Sequence, residues 1–259
     1  SLTSSQPKKM IKKLISNVLM LLGVLCLVSV ACETKKPDIT IATAANMRYA
    51  MVELTQAFEN ETDLKTELII GSSGKLLSQI VSGAPYDIFF SADEKYPNAL
   101  ATDEKTPEIY AYGKLVLWST LPDHEVTLGN LLDEERIALA NPKTAPYGKA
   151  TEEVLDQFGV KRFLRKRLVY GESISQVNQF ITTQNASVGF TSKSSVIANE
   201  EFGGQWEEIS DTLYTPIAQS MIVLKNSKQQ ELASQFAEFV KSEKGQEILN
   251  RFGYSTELF

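Results

Sequence analysis

Histidine and cysteine are almost missing from this 259-residue chain. His124 is the single histidine, and the two cysteines, Cys26 and Cys32, both fall within the first 32 residues. This inventory excludes a disulfide framework in the body of the protein, and it excludes a zinc site built from His and Cys. Long apolar runs are missing too. The stretch from Val18 to Ala31 is 14 residues long, short of the roughly 20 that a membrane-spanning helix requires. No internal repeat and no low-complexity segment interrupts the chain, and the aromatic residues are scattered at core spacing rather than gathered into a cofactor box.

What the N-terminus does hold is Lys8, Lys9, Lys12 and Lys13 ahead of that short apolar stretch, with small Ala31 just before Cys32. A basic segment, a short hydrophobic segment and a small-residue junction make a secretory leader. Residues 1–32 therefore read as a signal peptide with a lipoprotein cleavage site. Cys32 is the lipidated residue, a use that accounts for an otherwise idle thiol. An ordinary signal peptide or an uncleaved anchor stays open as the alternative. The expected location is periplasmic or cell-surface, with the membrane reached through lipid on Cys32.

Removing residues 1–32 takes away four of the 26 basic residues and none of the 32 acidic ones, so the body carries 22 minus 32, or −10. An acidic body of about 227 residues argues against a nucleic-acid partner, which needs clustered cations. If such a protein binds an anion, local dipoles must do the attracting.

One junction recurs along the body: an apolar run ends at small hydroxyl or amide residues and a helical pattern begins. It occurs at ATAANM (42–47), at GSSGKL (71–76), at APYGKA (145–150) and at GESIS (171–175). A strand that feeds a helix start presents backbone N–H groups with no intrahelical partner, at the positive end of the helix dipole. Such ends suit a small anion. Read as structure, Asn46 and Ser73 are equally good helix N-caps, and Tyr147 is equally a packing aromatic behind Pro146 in a first helical turn. Lys75 and Lys149 are expected to be solvated, and His124 to lie in a surface loop.

β-rich runs alternate with helical patterns throughout, which is the pattern of βα units and a mainly parallel sheet. Strands are expected at 39–44, 67–70, 87–92, 115–119, 136–140, 167–170, 187–191 and 218–224, with two closing helices at 229–240 and 245–252. The order of elements gives an α/β protein of two lobes, 33–115 with 220–259 and 116–219, joined by a double-crossing hinge. One continuous doubly wound domain is the alternative.

The ordered motifs ITIATAANM, IIGSSGKLLSQIVSGAPYDIFFSAD, ALANPKTAPYGKA and SVGFTS, spread over residues 38–259, resemble those of the periplasmic molybdate-binding proteins of ABC importers. The resemblance implies a type II periplasmic binding protein fold, no enzymatic activity and no cofactor. It also implies a monomer that captures molybdate or tungstate and delivers the anion to an ABC permease. Carried onto this chain, the ligand contacts fall on the Ala45 N–H, on Asn46 through its side-chain amide or N–H, and on Ser73 through its hydroxyl and N–H. The second lobe adds the N–H groups of Tyr147 and Ile174. Ser192 stands where some members place a ligating tyrosine and is a weaker candidate. All of these donors are neutral.

Rival chemistries lack their parts. A P-loop needs GxxxxGK followed by Ser or Thr, whereas Leu76 follows Lys75 and the loop is too short. Ser72 and Lys75 fit the S-x-x-K spacing of acyl-transfer hydrolases, but SDN, KTG and GxSxG patterns are all absent. A receptor for another small oxyanion such as sulfate is the closer competitor.

Overall fold

The computed structural model describes residues 36–257; the leader and Cys32 lie outside them. Strand β1 (Ile39–Ala44) passes through a 3-10 turn (Ala45–Met47) into α1 (Arg48–Thr62). Strand β2 (Thr66–Gly71) leads to α2 (Ser73–Val81), and β3 (Ile88–Ser91) to the short α3 (Lys95–Asn98). Strands β4 (Glu108–Gly113) and β5 (Leu115–Ser119) are separated by Lys114 alone. Then come β6 (Ile137–Ala140), α4 (Pro146–Gln157), α5 (Lys161–Leu164), β7 (Leu168–Gly171), α6 (Ile174–Thr182), β8 (Val188–Ser192) and α7 (Lys193–Ala198). Strands β9 (Gln205–Glu208) and β10 (Ile217–Val223) and helices α8 (Gln230–Lys241) and α9 (Glu243–Arg251) complete the described chain.

The strands form two five-stranded sheets, ordered β2-β1-β3-β10-β4 and β7-β6-β8-β5-β9. Each is mixed rather than mainly parallel. The pairs β1/β2, β1/β3, β6/β7 and β6/β8 are parallel, whereas β10 lies antiparallel to β3 and β4, and β5 antiparallel to β8 and β9. Strands β1, β2 and β3, and likewise β6, β7 and β8, follow one another through helical crossovers, which give each set a common direction. The antiparallel pairs involve the strands by which the chain changes sheets, where no crossover dictates direction.

Those changes of sheet run side by side. Gly113, the last residue of β4, pairs with Ile217, the first of β10. Between them the Tyr214 hydroxyl accepts from the Leu115 N–H at 3.2 Å, and buried Lys114 is ion-paired to Asp211.

Strand alternation distributes the core of the first sheet to two faces. Ile41 and Phe90 belong to the cluster with Met51, Phe58, Phe236 and Leu249 under α1, α8 and α9. Their neighbours Ala42 and Phe89 belong to the cluster with Leu76 and Tyr96 under α2 and α3. Phe236 is met edge-on by Phe58 at 5.1 Å and by Phe90 at 5.7 Å, a geometry that adds about 0.5–1.5 kcal/mol per pair beyond area burial. The second sheet has its own core around Leu117, Ile137, Leu139, Val154, Val177 and Phe190. His124 does lie in a loop, but its Nε2 meets the carboxylate of buried Glu134 at 2.8 Å.

Candidate functional site

Each parallel half-sheet delivers two helix starts to the same place. The 3-10 turn after β1 begins at Ala45, α2 begins at Ser73, α4 at Pro146 and α6 at Ile174. At none of these four starts does the N-cap side chain bond the exposed N–H groups. Four other starts are capped, Thr127, Ser192, Ser210 and Ser242 each accepting from an N–H of the turn they begin, while those at Arg48, Lys95, Lys161, Glu200 and Gln230 are uncapped but line no part of this cavity. The four uncapped starts surround one small, partly open cavity, lined by Ala44, Ala45, Asn46, Ser72, Ser73, Ala92, Ala145, Pro146, Tyr147 and Ile174. Ala45, Asn46, Ser73, Tyr147 and Ile174, the residues expected from sequence, thus meet at the carboxyl ends of β1, β2, β6 and β7. That is where open α/β sheets hold ligands.

Each lining residue is turned by its surroundings. The Ser73 hydroxyl oxygen accepts from the Ala92 N–H at 3.1 Å and has no acceptor for its own proton among the described residues, which leaves the O–H to donate. The Asn46 side chain is committed elsewhere. Its Nδ2 donates to Gln219 Oε1 at 2.8 Å and to the Tyr254 hydroxyl at 2.9 Å, so both amide protons are used. Of the two possibilities for Asn46, the backbone N–H is the one left to the cavity. Pro146 has no N–H to offer, so Tyr147 supplies the first donor of α4.

Tyr147 contributes backbone to the cavity, while its ring runs back to the sheet crossing. A Cβ on Gly113 would stand 2.1 Å from the Tyr147 hydroxyl, so only glycine fits there. Gly148, next in the same turn, lies so close over β6 that a Cβ would meet the Ala140 carbonyl oxygen at 2.2 Å. That approach seats α4 with its first turn at the cavity. The Tyr147 hydroxyl is buried with no partner of hydrogen-bonding geometry. Burial pushes its pKa far up, the nearby Tyr254, Tyr214 and Tyr110 hydroxyls push the same way, and the adjacent Asn46 amide offsets them in part.

No lining residue carries a charged side chain. Charge sits at the rim instead. Lys75 and Glu172 face each other at 3.5 Å, both well exposed. A neighbouring open cleft shares Ala92 and Pro146 with the cavity and adds Asp93, Lys149 and Glu153. Burial raises the pKa of the Asp93 carboxyl, against hydrogen bonds from the Tyr96 N–H and the Ser91 hydroxyl and the charges of Lys95 and Lys149. Two uncharged contacts close the rim: the Gly74 N–H donates to the Thr144 carbonyl at 2.9 Å, and the Tyr96 hydroxyl to the Lys143 carbonyl at 3.1 Å.

Ser192 is not brought to the cavity. It caps α7, accepting from the Ser195 N–H, and its hydroxyl is shared with those of Ser194 and Ser195 at 3.0 and 2.7 Å. Ser72 does line the cavity, although as a ligand-site residue sequence reasoning passed over it; its place beside Ser73 at the strand end is the signal that marks it. Lys75 turns outward to Glu172, so the Ser72–Lys75 pairing of an acyl-transfer centre is not assembled.

Because the Tyr147 hydroxyl is buried without a partner, Tyr147→Phe removes a desolvated group and no hydrogen bond. Urea unfolding is expected to give a stability unchanged within about 0.5 kcal/mol, or raised. A loss above about 1 kcal/mol would show that the hydroxyl is bonded after all.

Residues 39–255 match the family described as bacterial extracellular solute-binding protein. The chain is similar to the molybdate-binding protein ModA of Rhodobacter capsulatus, with 38% identity over 226 residues, 85% of this chain and 89% of that one. It is also similar to a Bacillus subtilis protein described as a putative ABC transporter substrate-binding lipoprotein, with 27% identity over 86% of this chain and 88% of that one. Among solved structures, the Azotobacter vinelandii periplasmic molybdate-binding protein superposes with a TM-score of 0.80 at 32% identity, covering 85% of this chain and all of that one. The two mixed sheets with their flanking helices are the periplasmic-binding-protein fold, and the chain belongs to the bacterial extracellular solute-binding protein family.

Proposed function

We propose that this protein is an extracytoplasmic receptor that captures molybdate, and tungstate with it, for import by an ABC permease. The observation that carries this reading is the convergence of four uncapped helix starts, two from each sheet, on one small cavity with no charged side chain. Its support from relatives is the similarity to molybdate-binding proteins over most of the chain. The donors are the N–H groups of Ala45, Asn46, Ser73, Tyr147 and Ile174 and the Ser73 hydroxyl. Desolvating a dianion is costly, but hydrogen bonds to a charged group return roughly 1.5–3 kcal/mol each, and within each lobe the backbone holds its donors in place before the lobes meet. Donors that cannot accept also disfavour a protonated oxyanion, whose O–H would face no acceptor.

The two sheets with their helices act as lobes, 33–115 with 220–259 and 116–219, that close over the anion by bending at the paired crossings beside Lys114 and Pro216. The permease reads the closed form. The protein works as a monomer held at the membrane by lipid on Cys32, an arrangement favoured by the leader pattern and by the likeness to a relative described as a lipoprotein.

Millimolar molybdate or tungstate is expected to raise the melting temperature by several degrees, because a ligand that binds only the native state stabilises by RT ln(1 + [L]/Kd), while sulfate and phosphate do little. Equal shifts with sulfate would assign the site to another oxyanion. No shift with any tetrahedral anion would end the receptor reading.

For the anchor, Cys32→Ser is expected to move the protein from the membrane to the soluble fraction of a bacterial host with anion binding unchanged. An unmodified Cys32 in the mass spectrum of the mature wild-type protein would contradict lipidation.

A further inference from the structure

Asn46 is held on three sides by groups remote in sequence. Its amide donates to Gln219 on β10 and to Tyr254 beyond α9, and its carbonyl accepts from the Ser194 hydroxyl at 2.8 Å and from the Tyr254 hydroxyl at 2.9 Å. Gln219, Ser194 and Tyr254 are all buried. Each is itself fixed. The pairing of β10 with β4 shifts register between Gln219 and Ser220, a bulge of the kind that re-aims a side chain. The Gln219 Nε2 is tied to the Ile217 carbonyl at 3.2 Å, so Oε1 faces Asn46. Tyr254 is placed by reciprocal backbone bonds between Tyr112 and Ser255, at 2.6 and 3.0 Å. None of Gln219, Tyr254 and Ser194 lines the cavity.

The Asn46 N–H shares its peptide plane with the Ala45 carbonyl, which accepts from the Arg48 N–H. On the far side of the Asn46 Cα the side-chain amide and the carbonyl are bound from behind, so the residue is held on both sides and its backbone cannot turn away from the cavity it lines. We infer that Gln219, with Tyr254 and Ser194, is a positioning residue for the anion: it sets the aim of the Asn46 donor without touching the ligand. This rests on the anion-receptor reading and deepens it. Gln219 lies on the strand by which the chain returns to the first sheet, two residues from the Ile217–Gly113 pair. The aim of the donor is therefore tied to the geometry of the crossing.

The test is a double-mutant cycle with molybdate as probe, read by isothermal titration, together with NMR exchange of the Asn46 side-chain amide protons in ligand-free protein. Gln219→Met keeps the bulk and removes the acceptor. It is expected to weaken molybdate about tenfold, as the loss of one buried hydrogen bond, and to speed exchange of the Asn46 amide. In an Asn46→Ala background, where Gln219 has no amide to hold, the same change is expected to cost no more than about twofold, because a residue acting through Asn46 has nothing left to act on. A purely structural role would give the same loss in both backgrounds, and that result, or no loss in the first, overturns the inference. If Gln219→Met does not fold, Tyr254→Phe removes a single hydroxyl and takes its place, with the same expectation of weaker binding and faster Asn46 exchange. Failure of the two readings is separable. Wild-type protein with protected Asn46 amide protons and no molybdate binding sinks the receptor reading and reduces Gln219 to a structural residue. Molybdate binding with an unprotected Asn46 amide leaves the receptor standing and removes the positioning role.

Discussion

The structure turns on a liability that it leaves open: helix starts whose N–H groups are not capped from within. An orphan N–H in a closed interior is costly, and most proteins cover it with a serine, threonine or aspartate side chain. This chain does so at Thr127, Ser192, Ser210 and Ser242. Other starts are left without a side-chain cap, and among them those at Ala45, Ser73, Pro146 and Ile174 are the ones that the parallel strands bring to one point. Four ends that each need an acceptor, supplied in pairs from two sheets, make a site whose natural complement is a compact anion with several oxygens. The acidic character of the rest of the molecule then matters little, since the attraction is local and short-ranged.

Around that constraint the glycines and the sheet crossings make sense. Gly148 lets α4 press against the end of β6, and Gly113 leaves room for the Tyr147 hydroxyl beside the crossing. One side chain therefore reaches from the ligand cavity to the place where the chain passes between sheets. The rim is closed by neutral backbone-directed bonds, Gly74 to Thr144 and Tyr96 to Lys143, with the exposed Lys75–Glu172 pair outside them.

Much of this was legible in the chain because the strand-to-helix junction is a local pattern. Ile39–Ala44 and Leu115–Ser119 have the expected bounds, since alternating β-branched or apolar residues end at small polar ones. Strand β4 was not legible: Glu108–Gly113 abuts β5 with only Lys114 between, so no turn signal sets it apart as a strand of its own. Strand β9, with sequence QWEE, is a short edge strand in which Trp206 is the single strand-favouring residue, too little to mark it. The four segments at the cavity followed from the junctions and the individual residues from the family resemblance, but the direction of the Asn46 side chain followed from neither. It is decided by Gln219 and Tyr254, 173 and 208 residues away, and no local pattern reports such partners. Ser192 shows the converse: the residue type suited a ligand, and the hydroxyl was needed as a cap.

The central physical claim is that neutral donors, not cations, hold the anion. It is tested most directly by calorimetric titration of molybdate into wild-type and Lys75→Ala protein from about pH 6.5 to 9, at low and at physiological salt, a range that starts at the ordinary histidine pKa and approaches the ordinary lysine pKa. Lys75 is exposed and already paired with Glu172, and an exposed charge contributes little and is screened by salt. Neutral-donor binding predicts affinities that differ by less than about threefold between the two proteins and across the pH range, because no donor in the cavity titrates there. A loss of tenfold or more on removing Lys75, steepening at low salt, would contradict it and put a cationic clamp in its place.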